Sequence, residues 1–313
     1  MLGPGCRLGA MPKRVVSVSI GSSKRNSKAE VYLESLGETV ILERIGTDGS
    51  WEKAIELVRE LDGRVDAFGL GGADLYVYAG GRRYAFRDAK RLAQAAQKTP
   101  ILDGSGLKHT LERQAVRWLE PILGWRGKRV LVPSAVDRFG LAEALDQAGA
   151  RVLYGDLIFG LGLPIPLYRL SLLQKLAYLL LPVITQLPFQ WLYPTGEKQE
   201  QQIKDWRQRY FAWAEVVAGD WHFIRRFMPE AMPGKIVLTN TTTPEDVAFL
   251  RARGVRTLIT TTPRLQGRSF GTNVMEAFIV AVAGKYPLGE AEYLEYIEKL
   301  ELKPQITDLQ APA

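Results

Sequence analysis

The chain of 313 residues is 46 % hydrophobic and 24 % charged, the balance of a globular protein with a sizeable core rather than of a disordered, collagenous or polytopic membrane chain. Lys and Arg number 41 against 34 Asp and Glu, a net charge of +7 that favours anionic partners, from small acids and phosphates to headgroups and nucleic acids. The single cysteine, Cys6, excludes an intramolecular disulfide and has no Cys or His neighbours for a zinc site. No metal is expected, and a cytoplasmic setting fits.

Residues 1–12 read as a disordered leader, without periodicity and too short and glycine-rich for a signal peptide. A β-branched strand at residues 15–20 follows, then a hairpin of residues 30–33 and 39–44 about Gly37. Ser50 or Asp48 caps a helix over residues 51–61, with Trp51, Ile55, Val58 and Leu61 near one face. A buried-type strand at residues 65–70 leads into Gly71-Gly72, and Gly80-Gly81 joins the hairpin of residues 76–79 and 83–86. A helix over 88–97 and a short strand at 100–102 complete the unit. One helix, residues 107–119, leaves it. Beyond Pro121 and Gly124 the order is strand 129–133, helix 141–148 and strand 149–154, the pattern of a parallel βαβ unit. Strands at 235–239 and 255–260 flank a helix at 245–253, and a last long helix covers 273–282.

The expected fold is α/β: two Rossmann-like α/β units with parallel-sheet cores and an interdomain cleft. The expected domains are residues 13–120, then 121–290 with an apolar insertion at 157–194, then a C-terminal helix and tail at 291–313.

Ligands of open parallel sheets sit beyond the carboxyl ends of the strands, so the tips carry the functional reading. They are small, hydroxylated or glycine, which lets a ligand approach backbone N–H groups, although turns and N-caps use the same residues. Ser22, Ser23 and Asp74 lie at tips of the first unit and are expected to bind substrate. Asp103 and Lys108 follow the strand at 100–102. Such a pair could move a proton on a hydroxyl or ketone, provided burial tunes the lysine downward; the plain alternative is an exposed helix lysine. His222, set between aromatics, reads as a packed histidine. Thr241-Thr242-Thr243-Pro244 and Thr260-Thr261-Thr262-Pro263 end two strands one helix apart, with Arg264 and Arg268 beyond. Side by side they would offer an anion two rows of hydroxyls and a guanidinium.

A glycine-rich dinucleotide fingerprint is absent after residues 129–132. Pro133-Ser134-Ala135-Val136-Asp137-Arg138 stands there instead. NAD or NADP would bind only in a degenerate form, with Ser134, Asp137 and Arg138, and the hydroxyls of Thr241 and Thr261, replacing the glycines. Arg82, Arg83, Arg87, Lys90 and Arg91 make a basic cluster that reads as a solvated face, and no nucleic-acid motif accompanies it. Residues 157–194 carry only Arg169 and Lys175 as charges. Prolines argue against a simple membrane span, and helices broken near Pro182 and Pro188 are expected. Subunit contact, making a homo-oligomer, or a lid over the cleft ranks first; peripheral membrane contact is the second option.

Residues 14–25, with Glu43-Arg44-Ile45-Gly46-Thr47-Asp48-Gly49 and Asp103-Gly104-Ser105-Gly106-Leu107-Lys108, resemble a bacterial family of quinate 5-dehydrogenases, distantly similar to the shikimate/quinate dehydrogenases. The chain departs from that group in lacking its glycine fingerprint and a clear counterpart of its Lys/Asp motif. The resemblance implies a two-domain NAD- or NADP-dependent oxidoreductase acting on a small hydroxylated acid. Lys108 would then be the acid–base group and Asp103 its partner. The alternative is a non-catalytic sensor or peripheral membrane protein that holds a small anionic ligand between its lobes.

Overall fold

The computed structural model describes residues 12–34, 37–79, 81–189, 201–262, 264–265 and 268–310; the leader expected at 1–12 lies outside them except for Pro12, as do residues 190–194 of the apolar insertion. Strand β1 (Lys13–Ser19) is the middle of the first sheet. Its Val15, Val16 and Val18 are all buried, as a strand covered on both faces requires. β3 (Glu38–Gly46) and β4 (Ala67–Gly71) flank it in parallel. β2 (Ser27–Leu33) lies antiparallel on β3, and β7 (Ile101–Leu102) closes the order β2-β3-β1-β4-β7. Helix α1 (Trp51–Leu61) starts where the Ser50 hydroxyl accepts from the Lys53 N–H at 3.2 Å. The hairpin β5 (Tyr76–Ala79) and β6 (Arg82–Ala85) and helix α2 (Arg87–Ala93) stand beside the sheet.

The helix expected over 107–119 is two helices. α3 (Ser105–His109) and α4 (Leu111–Leu123) meet at Thr110, whose hydroxyl donates back to the Gly106 carbonyl at 2.7 Å and competes with the ladder there. The second sheet has β8 (Arg129–Val132), β9 (Arg151–Tyr154), β10 (Val216–Gly219), β11 (Ile236–Thr239) and β12 (Thr257–Thr260) in parallel, with β15 (Gln305–Asp308) antiparallel at the edge. Its order is β15-β12-β11-β10-β8-β9. β10 and β15 fall outside the expected set. Helices α5 (Phe139–Gln147), α7 (Arg209–Trp213), α8 (Trp221–Phe227) and α9 (Pro244–Ala252) cover it. Two α/β lobes with mostly parallel sheets thus face each other across a cleft.

Two helices tie the lobes together. α6 (Leu170–Ile184) buries Leu173 in the core of the second lobe but Ala177 and Leu181 in the core of the first. It is not broken at Pro182: the proline sits exposed in the last turn, where it interrupts only the end of the helical ladder. After the short pair β13 (Arg264–Leu265) and β14 (Arg268–Ser269), α10 (Thr272–Ala283) returns to the first sheet. Its Met275, Phe278 and Ile279 share a core with Val15, Val40 and Leu42. The expected 121–290 domain is corrected here, because this helix belongs by packing to the first lobe. From Val274 onward it is apolar except for the buried Glu276, as suits a helix enclosed by protein. α11 (Glu290–Lys299) then leads back to β15.

Candidate functional site

Each sheet reverses its strand order at a position that opens on the same cleft. In the first, β3 and β4 lie on opposite sides of β1; in the second, β9 and β10 lie on opposite sides of β8. These switch points are where open α/β sheets hold ligands. The cleft encloses about 210 Å³. Gly71 and Gly72 let its wall come close: Gly72 has φ +70°, and a Cβ there would stand 2.8 Å from the Gly21 nitrogen.

A chain of buried charges forms the floor. The Lys108 ammonium lies 2.5 Å from Asp74 Oδ1 and 2.5 Å from Asp137 Oδ1. Arg138 extends the chain, donating to Asp137 at 3.2 Å, to Asp220 at 3.0 Å and, by a short contact, to Glu112. Burial opposes a charge on Lys108, but Asp137 and Asp74 overcome it and raise its pKa. Burial likewise works against Asp137, and Lys108 and Arg138 outweigh it and hold that carboxyl low. Asp74 moves the other way, raised first by burial and then by the Asp137 charge. The expected Lys108–Asp103 pair is therefore corrected. Lys108 is in the cleft, yet its partners are Asp74 and Asp137. Asp103 instead accepts from the backbone N–H groups of Leu75 and Tyr76, both at 2.8 Å, and of Ser105 at 3.0 Å. A lysine pushed upward holds its proton and is a poor acid–base group at neutral pH.

One wall is basic. Arg44 donates to the Ser22 carbonyl and the Ser19 hydroxyl, both at 3.0 Å, and burial, then the neighbouring Arg25, lowers its pKa to about 10. Arg25 also presses on His222 across the cleft, whose pKa falls mainly through burial. Arg226 joins them from α8, lowered by burial and by Arg207. Asn240, Asn273 and Thr272 supply neutral polar groups, and Phe189 and Phe223 flat apolar ones. Asn273 is held by a 2.9 Å bond to the Ser17 hydroxyl. His222, expected to be packed away, lines the cleft; His109 packs edge-on against Tyr78, its pKa lowered to about 4 by burial and then Arg113.

Of the other expected residues, Asp74, Asp137, Arg138 and Thr241 border the cleft. Ser22 is the cap of the turn after β1, its hydroxyl accepting from Lys24 N–H, while the Ser23 N–H is spent on Asp48 at 2.6 Å. The threonine tips are neighbours, since β11 pairs with β12. Two of their hydroxyls serve the fold: Thr262 bonds to the Asn240 carbonyl at 2.5 Å and Thr243 caps α9 with Asp246, whereas the Thr261 hydroxyl is buried without a hydrogen-bond partner. The side chains of Arg264 and Arg268 lie outside the described structure.

At the β8 tip two backbone donors are already engaged. Asp156 accepts the N–H groups of Ala135 at 3.1 Å and Val136 at 2.9 Å, the donors a pyrophosphate would need. Ser134 faces a separate apolar pocket of about 110 Å³ shared with Asp156.

Residues 106–309 match the family model "Domain of unknown function (DUF8754)", and the chain belongs to that family. Residues 14–103 match "Domain of unknown function (DUF8753)". No curated protein matches the sequence. Among solved structures, a galactofuranose binding protein aligns over 95 % of each chain at 14 % identity and a TM-score of 0.37. The substrate-binding protein of a sugar ABC transport system from Bordetella parapertussis aligns over 97 % of this chain and 92 % of its own at 13 % identity and a TM-score of 0.36. GanP, a glucose-galactose binding protein from Geobacillus stearothermophilus, aligns over 97 % of this chain and 100 % of its own at 8 % identity and a TM-score of 0.39. The expected membership among quinate dehydrogenases, and with it the oxidoreductase activity, is corrected. The matching families are different ones, and the lysine and strand tip on which the enzyme depended are otherwise engaged.

Proposed function

We propose that the protein is a non-catalytic binding protein that holds a small hydroxylated anion between its lobes. The observation that carries this reading is the division of one cleft into a floor of mutually satisfied charges and a wall of basic side chains. In the floor Lys108 is held charged by Asp74 and Asp137, and Arg138 by Glu112, Asp137 and Asp220, so neither cation is free to give up a proton. The floor's carboxylates, with Asn240, Asn273 and Thr272, are acceptors and donors suited to hydroxyl groups. Arg25 and Arg44 repel one another, and Arg226 lines the same cleft, so an anion placed there relieves that repulsion and gains charge-assisted hydrogen bonds. Phe189 and Phe223 can cover the C–H face of a ring or chain.

Calorimetric titration with gluconate, glucuronate, sugar phosphates and the corresponding neutral sugars tests it. Acidic ligands should bind, with the lobes drawing together in small-angle scattering. Arg44→Met should weaken them by about ten- to a hundredfold, the worth of one charged hydrogen bond. Neutral sugars bound as tightly as their acids, or an Arg44→Met variant of parental affinity, would refute the anionic assignment.

A further inference from the structure

We infer that the outer face of α6 and the loop before it rests on an anionic lipid bilayer. Among the described residues thirteen large apolar side chains are exposed, and eight of them fall in residues 161–183. The outward positions of α6 include Leu172, Leu179 and Val183, the last two 69 % and 64 % exposed. On a helix that faces water this stripe would be polar. Leu161, Leu163 and Ile165 of the preceding loop are also exposed.

The charges beside this face select the occupant. Residues 157–194 contain Arg169 and Lys175 and no carboxylate. Both cations are exposed. From the β5–β6 hairpin Arg82 lays its guanidinium 4.7 Å over the Tyr178 ring, adding a third cation at the border. Tyr168 and Tyr178, each about half exposed, present apolar rings with polar tips, the side chains favoured at headgroup depth. A two-fold contact between copies would place this basic border against its own image. A bilayer instead takes the leucines among its acyl chains and the cations at the level of anionic headgroups. The helix has 15 residues, roughly 22 Å at ~1.5 Å per residue, too short to cross a ~30 Å hydrocarbon core. Among the described residues no helix is long and apolar enough to cross a membrane. α6 therefore lies along the surface, its inner side fixed by Leu173, Ala177 and Leu181.

Flotation of the whole protein with phosphatidylcholine vesicles, and with vesicles that also contain phosphatidylglycerol, is the test. The protein should float with the anionic vesicles and be released by salt. The double variant Leu179→Asp, Val183→Asp should remain at the bottom while keeping the parental melting temperature. Lys175→Glu, which leaves the apolar stripe intact, should lower partitioning about fivefold or more. Failure of the parent to float with the anionic vesicles overturns the inference. So does a dimer in solution that the double variant dissociates, since a second copy would then cover the face, and so does a double variant that floats like the parent.

Discussion

Lys108 shows how a residue can be placed well by its sequence position and mistaken in its role. Its location after β7 and Gly104 puts it in the cleft, but its partners come from two other loops, Asp74 after β4 and Asp137 after β8. No local pattern announces a pairing of residues so far apart in the chain. The arrangement implies a structural role. Replacing Lys108 by Met should cost about 3–5 kcal/mol, because two carboxylates are then left facing each other without a cation. Adding Asp74→Asn should restore part of that loss. Urea denaturation decides it, and a loss under about 1 kcal/mol would show that the chain of charges contributes little. Glu276 on α10 gives a second outcome. Its carboxylate accepts from Tyr293 Oη at 2.7 Å and Gly106 N–H at 3.1 Å, and burial, then the charge of Asp103, pushes its pKa from 4.5 to about 7. The folded state keeps this proton where the unfolded chain has released it. Its contribution to stability is therefore complete below pH 4.5 and lost as the pH rises to about 7. Glu276→Gln should remove that decline, seen as the difference between parent and variant unfolding free energies across the same window. Parallel curves would exclude the assignment.

At the scale of elements, legibility followed apolar density. The buried parallel strands β1, β8, β11 and β12 read as β-branched runs and β4 as a short apolar run ending in glycine, and α1 was legible to its last residue because a capping serine precedes a clean apolar face. β10 was hidden: Val216-Val217-Ala218-Gly219 is a short run directly after the aromatic stretch of α7 and carries no turn signal of its own. β15 was hidden for the opposite reason, an edge strand whose side chains alternate between half-buried and exposed. α6 has the density of a buried helix but is only buried on one side, so composition alone read it as a lid or subunit contact. The strand-tip rule pointed to loops that border the cleft, including those of Arg25 and Asn240, whereas Asn273 stands at the head of the last long helix. The rule did not tell which side chain in each loop faces the cleft, because that depends on how the two lobes meet.

The lobes of the whole molecule are separate as sheets and joined as cores. The family matches divide the chain between residues 103 and 106, yet α10, from the later segment, completes the core over β1 and β3. Phe278 and Met275 are fully buried there, and Asn273 at the head of the same helix is fastened to Ser17 in the cleft. A fragment ending at residue 103 would expose this apolar sheet face to water, at roughly 25 cal/mol per Å² of surface left uncovered, with no compensating contact. It should be unfolded or aggregated, as judged by far-UV circular dichroism and amide dispersion. The intact chain should melt in one calorimetric transition, because α10 cannot leave the first core without disturbing the cleft that it shares with the second. Phe278→Ala, worth about 3–5 kcal/mol as a large-to-small change, should lower that single transition as a whole. Two resolved transitions, only one of them moved by the substitution, would mean that the lobes fold independently and that α10 is an attachment rather than part of the first core.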